Sequence, residues 1–432
     1  MDRRIAVLLC AFCLGGSALN AQDPASRDAR ERQRAARALA RQGSEAIPQL
    51  APLASDPDLG VRIEAVKALV DIGTQHSLDP LIKATRDNDP EIQIRATDGL
   101  VNFYLPGYVR EGLSASLRRA GDSVTSRFTD TNDRVIDPFL EVRPEIAGAL
   151  GRLARSGASM EARANAARAV GILRARAAVP DLLEAVRSKD SQVIYECLIA
   201  FQKIGDRSVG PRISFLLRDL DEKVQVAALE TTGLLRNMEA LPELRNVLAR
   251  TSSRRVRRAA LSSIAMLPEQ ASHDLLLHYL GDRDPDLRAA AAEGLGRLEN
   301  PADLPALEKG FENESSNLAR VSFAFALVTQ GKLELSEFSP LSYLVNTLNS
   351  AARANVAQAF LTEAARKKEV RQALFQPLQR GTRDEKIGLA RVMAASGDAE
   401  TEPLLESLTR DPNVEVASEA VRALRGLRAR LK

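Results

Sequence analysis

Tryptophan is absent from the 432 residues, and aromatic side chains make up only 4% of them. A core with so few large rings must be built from Ala, Leu, Val and Ile, which favours closely packed helices. Three cysteines exclude a disulfide framework, and three histidines leave little for histidine-based metal chemistry. Sixty basic groups stand against 57 acidic ones. A balance this near neutral leaves no electrostatic footprint for nucleic acid. The longest continuous apolar run is the ten residues from Ile5 to Leu14. That is half of the roughly 20 needed to cross a bilayer, so no transmembrane segment is expected.

The apolar run follows Arg3 and Arg4 and leads into small and polar residues ending at Ala21. This is the layout of a secretory signal, with cleavage expected near Ala21 and export to the periplasm or the outside. Cys10 and Cys13 would leave with it, so Cys197 has no partner and the mature chain no internal disulfide. The expected division is a signal peptide at 1–21 and one repeat array at 22–432.

Charged residues at 27% and hydrophobic ones at 45% describe a folded chain, and its order is internal repetition. Branched apolar residues recur at Val61, Ile92, Val193, Val224, Val256, Leu287 and Leu318, mostly 31 residues apart. Ala162 falls on the same ladder. Three positions earlier stand Asp58, Asp89, Ser159, Asp190, Asp221, Ser253, Asp284 and Ser315. These are helix N-caps, whose oxygens accept from the unpaired N–H groups of the first turn. Pro90, Pro285 and Pro412 follow such caps, where a missing N–H costs nothing.

Four positions after each opening residue the side chain is small: Ala65, Ala96, Ala166, Cys197, Ala228, Ala260, Ala291 and Ser322. Small residues at one register mark a close helix crossing. Gly73 and Gly205 suit a helix C-terminus, whereas Gly171, Gly233 and Gly296 fall inside the helix. Pro180, Pro211, Pro242 and Pro305 then open a second apolar-periodic run. Each unit reads as cap, first helix, turn, Pro-led second helix and turn.

The stretches "Asp-Pro-Asp-Leu-Gly-Val-Arg-Ile-Glu-Ala-Val-Lys-Ala-Leu-Val-Asp-Ile-Gly" at 56–73 and "Asp-Pro-Asp-Leu-Arg-Ala-Ala-Ala-Ala-Glu-Gly-Leu-Gly-Arg-Leu" at 284–298 resemble HEAT repeats. The short period resembles the HEAT-like class of the phycobilisome lyases. The resemblance implies an all-α fold, a right-handed α-solenoid of about eleven two-helix units whose second helices line a concave surface. Neither the Thr-Pro-Leu-His of ankyrin units nor the aromatic positions of tetratricopeptide units occur. The pattern fades from Leu333 to Arg383 and restarts at 411–417.

From Ile92 to Ala162 is 70 residues, 39 more than one period, which places an insertion at about 105–143. Insertions in solenoids map to loops on one face, often the binding face. The insertion and its edge hold Tyr104, Tyr108 and Phe128, expected as partner-binding anchors. The densest basic run supplies Arg254, Arg255 and Arg258 as a second partner-binding set, while Arg257 repeats a position held by Arg62, Arg163 and Arg288 and is structural.

No catalytic, metal or cofactor site is expected. The acidic run at 130–137 has Val135 where a calcium loop needs Gly, and Arg134 at a ligand position. His273 and His278 are five apart, off the four-residue spacing that aligns two ligands. Iron-dependent HEAT-like hydroxylases carry His-Glu pairs, and here no His precedes Glu. The chain therefore reads as a non-catalytic scaffold for a protein or peptide. An envelope enzyme or an enzyme's regulatory subunit is the alternative, lyase-like by repeat resemblance alone.

Overall fold

The structure is a computed structural model describing residues 23–108 and 135–431. The signal segment, Phe128 and most of the expected insertion lie outside these. The chain divides into two compact units, Met1–Val109 and Arg110–Lys432, and the division falls within the expected insertion. Among the described residues every regular element is helical, so the fold is an all-α solenoid.

In the first unit, helices Ala29–Leu39, Leu59–Ile72 and Pro90–Tyr104 stack side by side. The short helices Ile47–Leu53 and Leu78–Ala84 pack alongside them. Asp58 and Asp89 accept the expected first-turn N–H bonds. Gly73 ends its helix at φ 57°, a left-handed position that costs glycine little.

The second unit opens with Pro144–Ser156 and continues as a ladder of first helices. These are Met160–Ile172, Ser191–Ile204, Glu222–Leu234, Arg254–Ala265, Pro285–Leu298, Asn317–Thr329, Ala354–Ala364, Arg383–Ser396 and Val414–Leu431. Each packs on the next, whereas most of the shorter second helices pack chiefly on the first helix that follows them. The first helices therefore form the inner layer, which corrects the expectation that second helices line the concave side. The cause is the small side chains. A Cβ on Gly171, Gly233 or Gly296 would stand 2.8, 2.8 or 2.6 Å from the Cα of Ala200, Ser263 or Ala326 on the next first helix. Backbones this close leave no room for a methyl group. Because glycine is used inside these helices, the left-handed turn three residues later falls to Arg174, Arg236 and Glu299.

A recurring arginine ties each pair to the next. Arg32, Arg62, Arg257, Arg288, Arg320 and Arg371 each donate to the carbonyl six residues earlier, in the loop before their own helix. The same guanidinium groups of Arg32, Arg62 and Arg288 reach forward to Asp56, Asp87 and Glu314 at 2.6–2.8 Å. Each acid also accepts the backbone N–H two residues on. Arg257 is structural, as expected.

Three details differ from the sequence reading. Ser316, not Ser315, caps the helix Asn317–Thr329, so Ala319 is fully buried and Leu318 is 41% exposed. One extra loop residue shifts that register. Pro211 sits inside a 3-10 run, Arg207–Arg218, because Gly210 and Pro211 together are poor α-helix formers. Asn413 caps the last helix and Pro412 precedes the cap rather than following it.

Candidate functional site

The expected site residues lie in different places. Tyr108, at 8% exposure, is buried in the first unit, and Tyr104 lies edge-on to Phe103 with ring centres 5.0 Å apart. In the second unit, Arg254 and Arg258 both donate to Asp284 at 2.8 Å, and Arg258 also pairs with Asp286. These guanidinium groups hold the Asp284 carboxyl far below the usual carboxylate range, although burial of that carboxyl opposes them. Arg255 is the free-standing member, 78% exposed and 3.8 Å from Glu222. Two of the three arginines thus clip their helix to the next unit. The described end of the insertion folds onto the array, where Ile136 is buried and its N–H donates to the Ile172 carbonyl at 3.0 Å.

Cys197 is fully buried at the small-residue register, and burial pushes its thiol well above the ordinary range. His273 donates toward Asp303 at 2.9 Å and is a link between units. Among the described residues no group of His, Cys, Asp and Glu could hold a metal ion. Nor is any described helix long and apolar enough to cross a membrane.

Sequence reasoning missed the centre of the second unit. Glu363, near the end of Ala354–Ala364, receives both Nε and Nη of Arg297 at 2.9 and 2.8 Å and Arg236 at 2.8 Å. Arg297 also lies 5.1 Å from the centre of the Phe325 ring, which stacks on Phe360 at 4.6 Å. Burial works against the Glu363 carboxylate, but the two arginines outweigh it and hold its pKa down to about 2. Burial raises the neighbouring Glu293, 3.4 Å from Arg297. Carboxylates pushed apart can serve as acid and base. Here both are tied to Arg297, and Ser322 donates to Glu293 at 3.0 Å, so the cluster is a fastening.

The repeat breaks just beyond. Loop residues between Thr329 and Pro340 lengthen the unit, and the first helices on either side pack less fully than their neighbours. A cavity of about 500 Å³ opens there, walled by Leu304, Val328, Leu333 and Val370. Lys367 and Glu299 also line it, paired at 2.6 Å, and Lys367 donates to the Thr329 carbonyl at 2.7 Å. Gln330 lines it too, and neither polar atom of its buried carboxamide has a protein partner. The same loop presents Phe338 to solvent at 81% exposure and φ 64°. A bulky residue in the left-handed region is strained. Ser339 Oγ fixes the turn, its one O–H lying between the Glu334 and Ser336 carbonyls at 2.6 and 2.8 Å. The only sequence signal for this site was the fading of the period after Leu333.

Fold and site together define a helical-repeat scaffold, its first helices inside and the break after Thr329 furnished with a cavity and an exposed ring. A sequence profile for HEAT repeats matches residues 21–101, 209–276 and 246–328, and one for the PBS lyase HEAT-like repeat matches 162–188. The chain is a HEAT-repeat protein. Solved structures similar to it include the complex of CpcE and CpcF of phycocyanin lyase from Nostoc sp. PCC7120, at 19% identity over 62% of this chain and 92% of that one, TM-score 0.37. The YIBA protein of Escherichia coli is 14% identical over 71% and 98%, TM-score 0.40. A Kap121p mutant is 12% identical over 93% and 44%, TM-score 0.39. No curated protein matches the sequence.

Proposed function

We propose that this protein is an exported, non-catalytic scaffold that holds a protein or peptide partner at the break in its repeat array. The observation that carries the reading is Phe338. Of the four described non-glycine residues with positive φ, it alone is apolar, and it is 81% exposed. A fold that holds an aromatic ring in water against its backbone preference keeps strain of about 1–3 kcal/mol, which a contact made by that ring would justify. Of the arginines expected to meet an acidic partner, Arg254 and Arg258 are paired with Asp284, Arg254 while still 67% exposed, and Arg255 is the most exposed at 78%. The signal-like N-terminus supports export, and N-terminal sequencing of the mature protein tests it.

The partner is tested by a photo-crosslinking residue at position 338 in intact cells, with the same residue at exposed Glu145 as control. A discrete, competable adduct at 338 and none at 145 is expected. Equal labelling at both positions would remove the site. Measurable turnover by the purified chain would favour the envelope-enzyme alternative.

A further inference from the structure

We infer that the pocket between residues 136–142 and the turn at Arg174 captures the free C-terminal residue of a peptide, its carboxylate on Arg174 and Arg176 and its aliphatic side chain on Ile136, Leu140, Val142 and Leu173. This is a different place from the break after Thr329. It rests on the scaffold reading above only in taking a peptide as the ligand. Two pieces of chain build the pocket, and they are pinned together where the Ile136 N–H donates to the Ile172 carbonyl at 3.0 Å.

Unanswered charge selects the ligand. Among the described residues neither the Arg174 nor the Arg176 guanidinium has an ion pair or a hydrogen-bond partner. Asp137 is the one acid in the lining, and Arg422 already pairs with it at 3.1 Å. Arg174 is exposed, so a ligand can reach it, yet the protein around it lowers its pKa and no acid opposes that effect. The same left-handed turn recurs at Arg236 and Glu299, whose side chains hold Glu363 at 2.8 Å and Lys367 at 2.6 Å. Arg174, at φ 45°, alone of the three holds nothing within the fold. A guanidinium fork matches a carboxylate through two parallel hydrogen bonds, so a carboxylate is the group this rim lacks.

The floor narrows the choice. Ile136 and Leu173 are buried there, and Leu140 leaves an aliphatic side chain 39% exposed beside them. Such a lining cannot replace the hydration of a bare inorganic anion. The pocket holds about 230 Å³, below the roughly 300 Å³ at which small-molecule sites begin. One aliphatic side chain fits that space and a long alkyl chain does not, which favours a peptide C-terminus over a fatty acid.

The probe is acetyl-Ala-Ala-Leu as the free acid, titrated into the full chain while the methyl groups of Ile136, Leu140, Val142 and Leu173 are followed by NMR. Saturable shifts of those methyls are expected. The same peptide as its C-terminal carboxamide should bind about ten-fold more weakly, because it brings no charge to the two arginines. Arg174→Gly should bring acid and carboxamide to similar affinity. Glycine accepts φ 45° without strain, so this variant should melt no lower than the parent.

Equal binding of acid and carboxamide by the parent, or a preference for the acid kept by R174G, would overturn the subsite. Octanoate binding more tightly than the peptide acid would overturn the peptide assignment. Unmoved methyls would remove the subsite, while the adduct at position 338 decides the scaffold reading separately.

Discussion

Arg236 donates to Glu363 at 2.8 Å, although the two are 127 residues apart, one in the turn after the first helix Glu222–Leu234 and the other in Ala354–Ala364, with three first helices between. Straight stacking at about 9–10 Å per helix would hold them far beyond reach. The ladder in the second unit is therefore tightly wound, with the C-terminal ends of its first helices converging. Arg422 on the last helix likewise reaches Asp137 near the start of the unit, at 3.1 Å. Glu363→Gln should destabilise the unit by about 3 kcal/mol at neutral pH, since two guanidinium groups lose their counter-charge. The carboxyl is depressed from 4.5 to about 2. Its stabilisation is thus present above the unfolded value and is lost as pH falls toward the folded one. Urea unfolding at pH 7 and pH 3 should show the gap between parent and variant closing in acid.

Gly296→Ala separates helix propensity from packing. Alanine favours a helix interior by about 1 kcal/mol, but its Cβ would lie 2.6 Å from the Ala326 Cα. Overpacking should win, with a net loss of about 1–3 kcal/mol by thermal or chemical unfolding. Gly426→Ala is the opposite case. Its Cβ would meet Ala394 at an ordinary 3.7 Å, and the variant should be as stable as the parent or slightly more so.

His273 carries a pH dependence of the opposite sign to Glu363. Its hydrogen bonds to Asp303 and then Asp274 raise its pKa, against a small effect of burial. A raised histidine contributes stability that is complete below its unfolded value near 6.5 and disappears as pH rises through the folded value. His273→Ala should remove that part of the stability profile between pH 6 and pH 8, read as melting temperature against pH.

Phe338→Gly should raise stability by about 1 kcal/mol, because glycine accepts φ 64° without strain. If the ring meets a partner, the same variant should capture less of it. Greater stability together with weaker capture is a combination that a merely structural residue would not give.

The three arginines divide by geometry. Arg258→Ala removes two contacts to Asp284 and one to Asp286, and should cost about 1 kcal/mol or more in unfolding experiments. Arg255→Ala, 78% exposed, should fall within about 0.5 kcal/mol of the parent. A changed partner affinity for Arg255→Ala with unchanged stability would return that residue to the binding surface.

Much of the array was legible in the chain. Caps such as Asp58, Asp190 and Asp221 and crossings such as Ala65 and Cys197 act on neighbours a few residues away or one period on, so spacing reveals them. The shift from Ser315 to Ser316 was not legible, because either serine can cap and only the length of the preceding loop chooses. The cavity was visible only as a loss of pattern, since a broken period announces a gap but not what lines it.

Sequence by itself determined that this chain is all-helical, repeating and built on small side chains at one register, because local caps and a 31-residue period are written in consecutive residues. The tertiary structure alone decided which layer lies inside. It also decided that Arg236, Arg297 and Glu363 meet, and that Gln330 is left without a partner. Those facts depend on how small rotations between successive helix pairs add up over several units, and no single repeat encodes that sum.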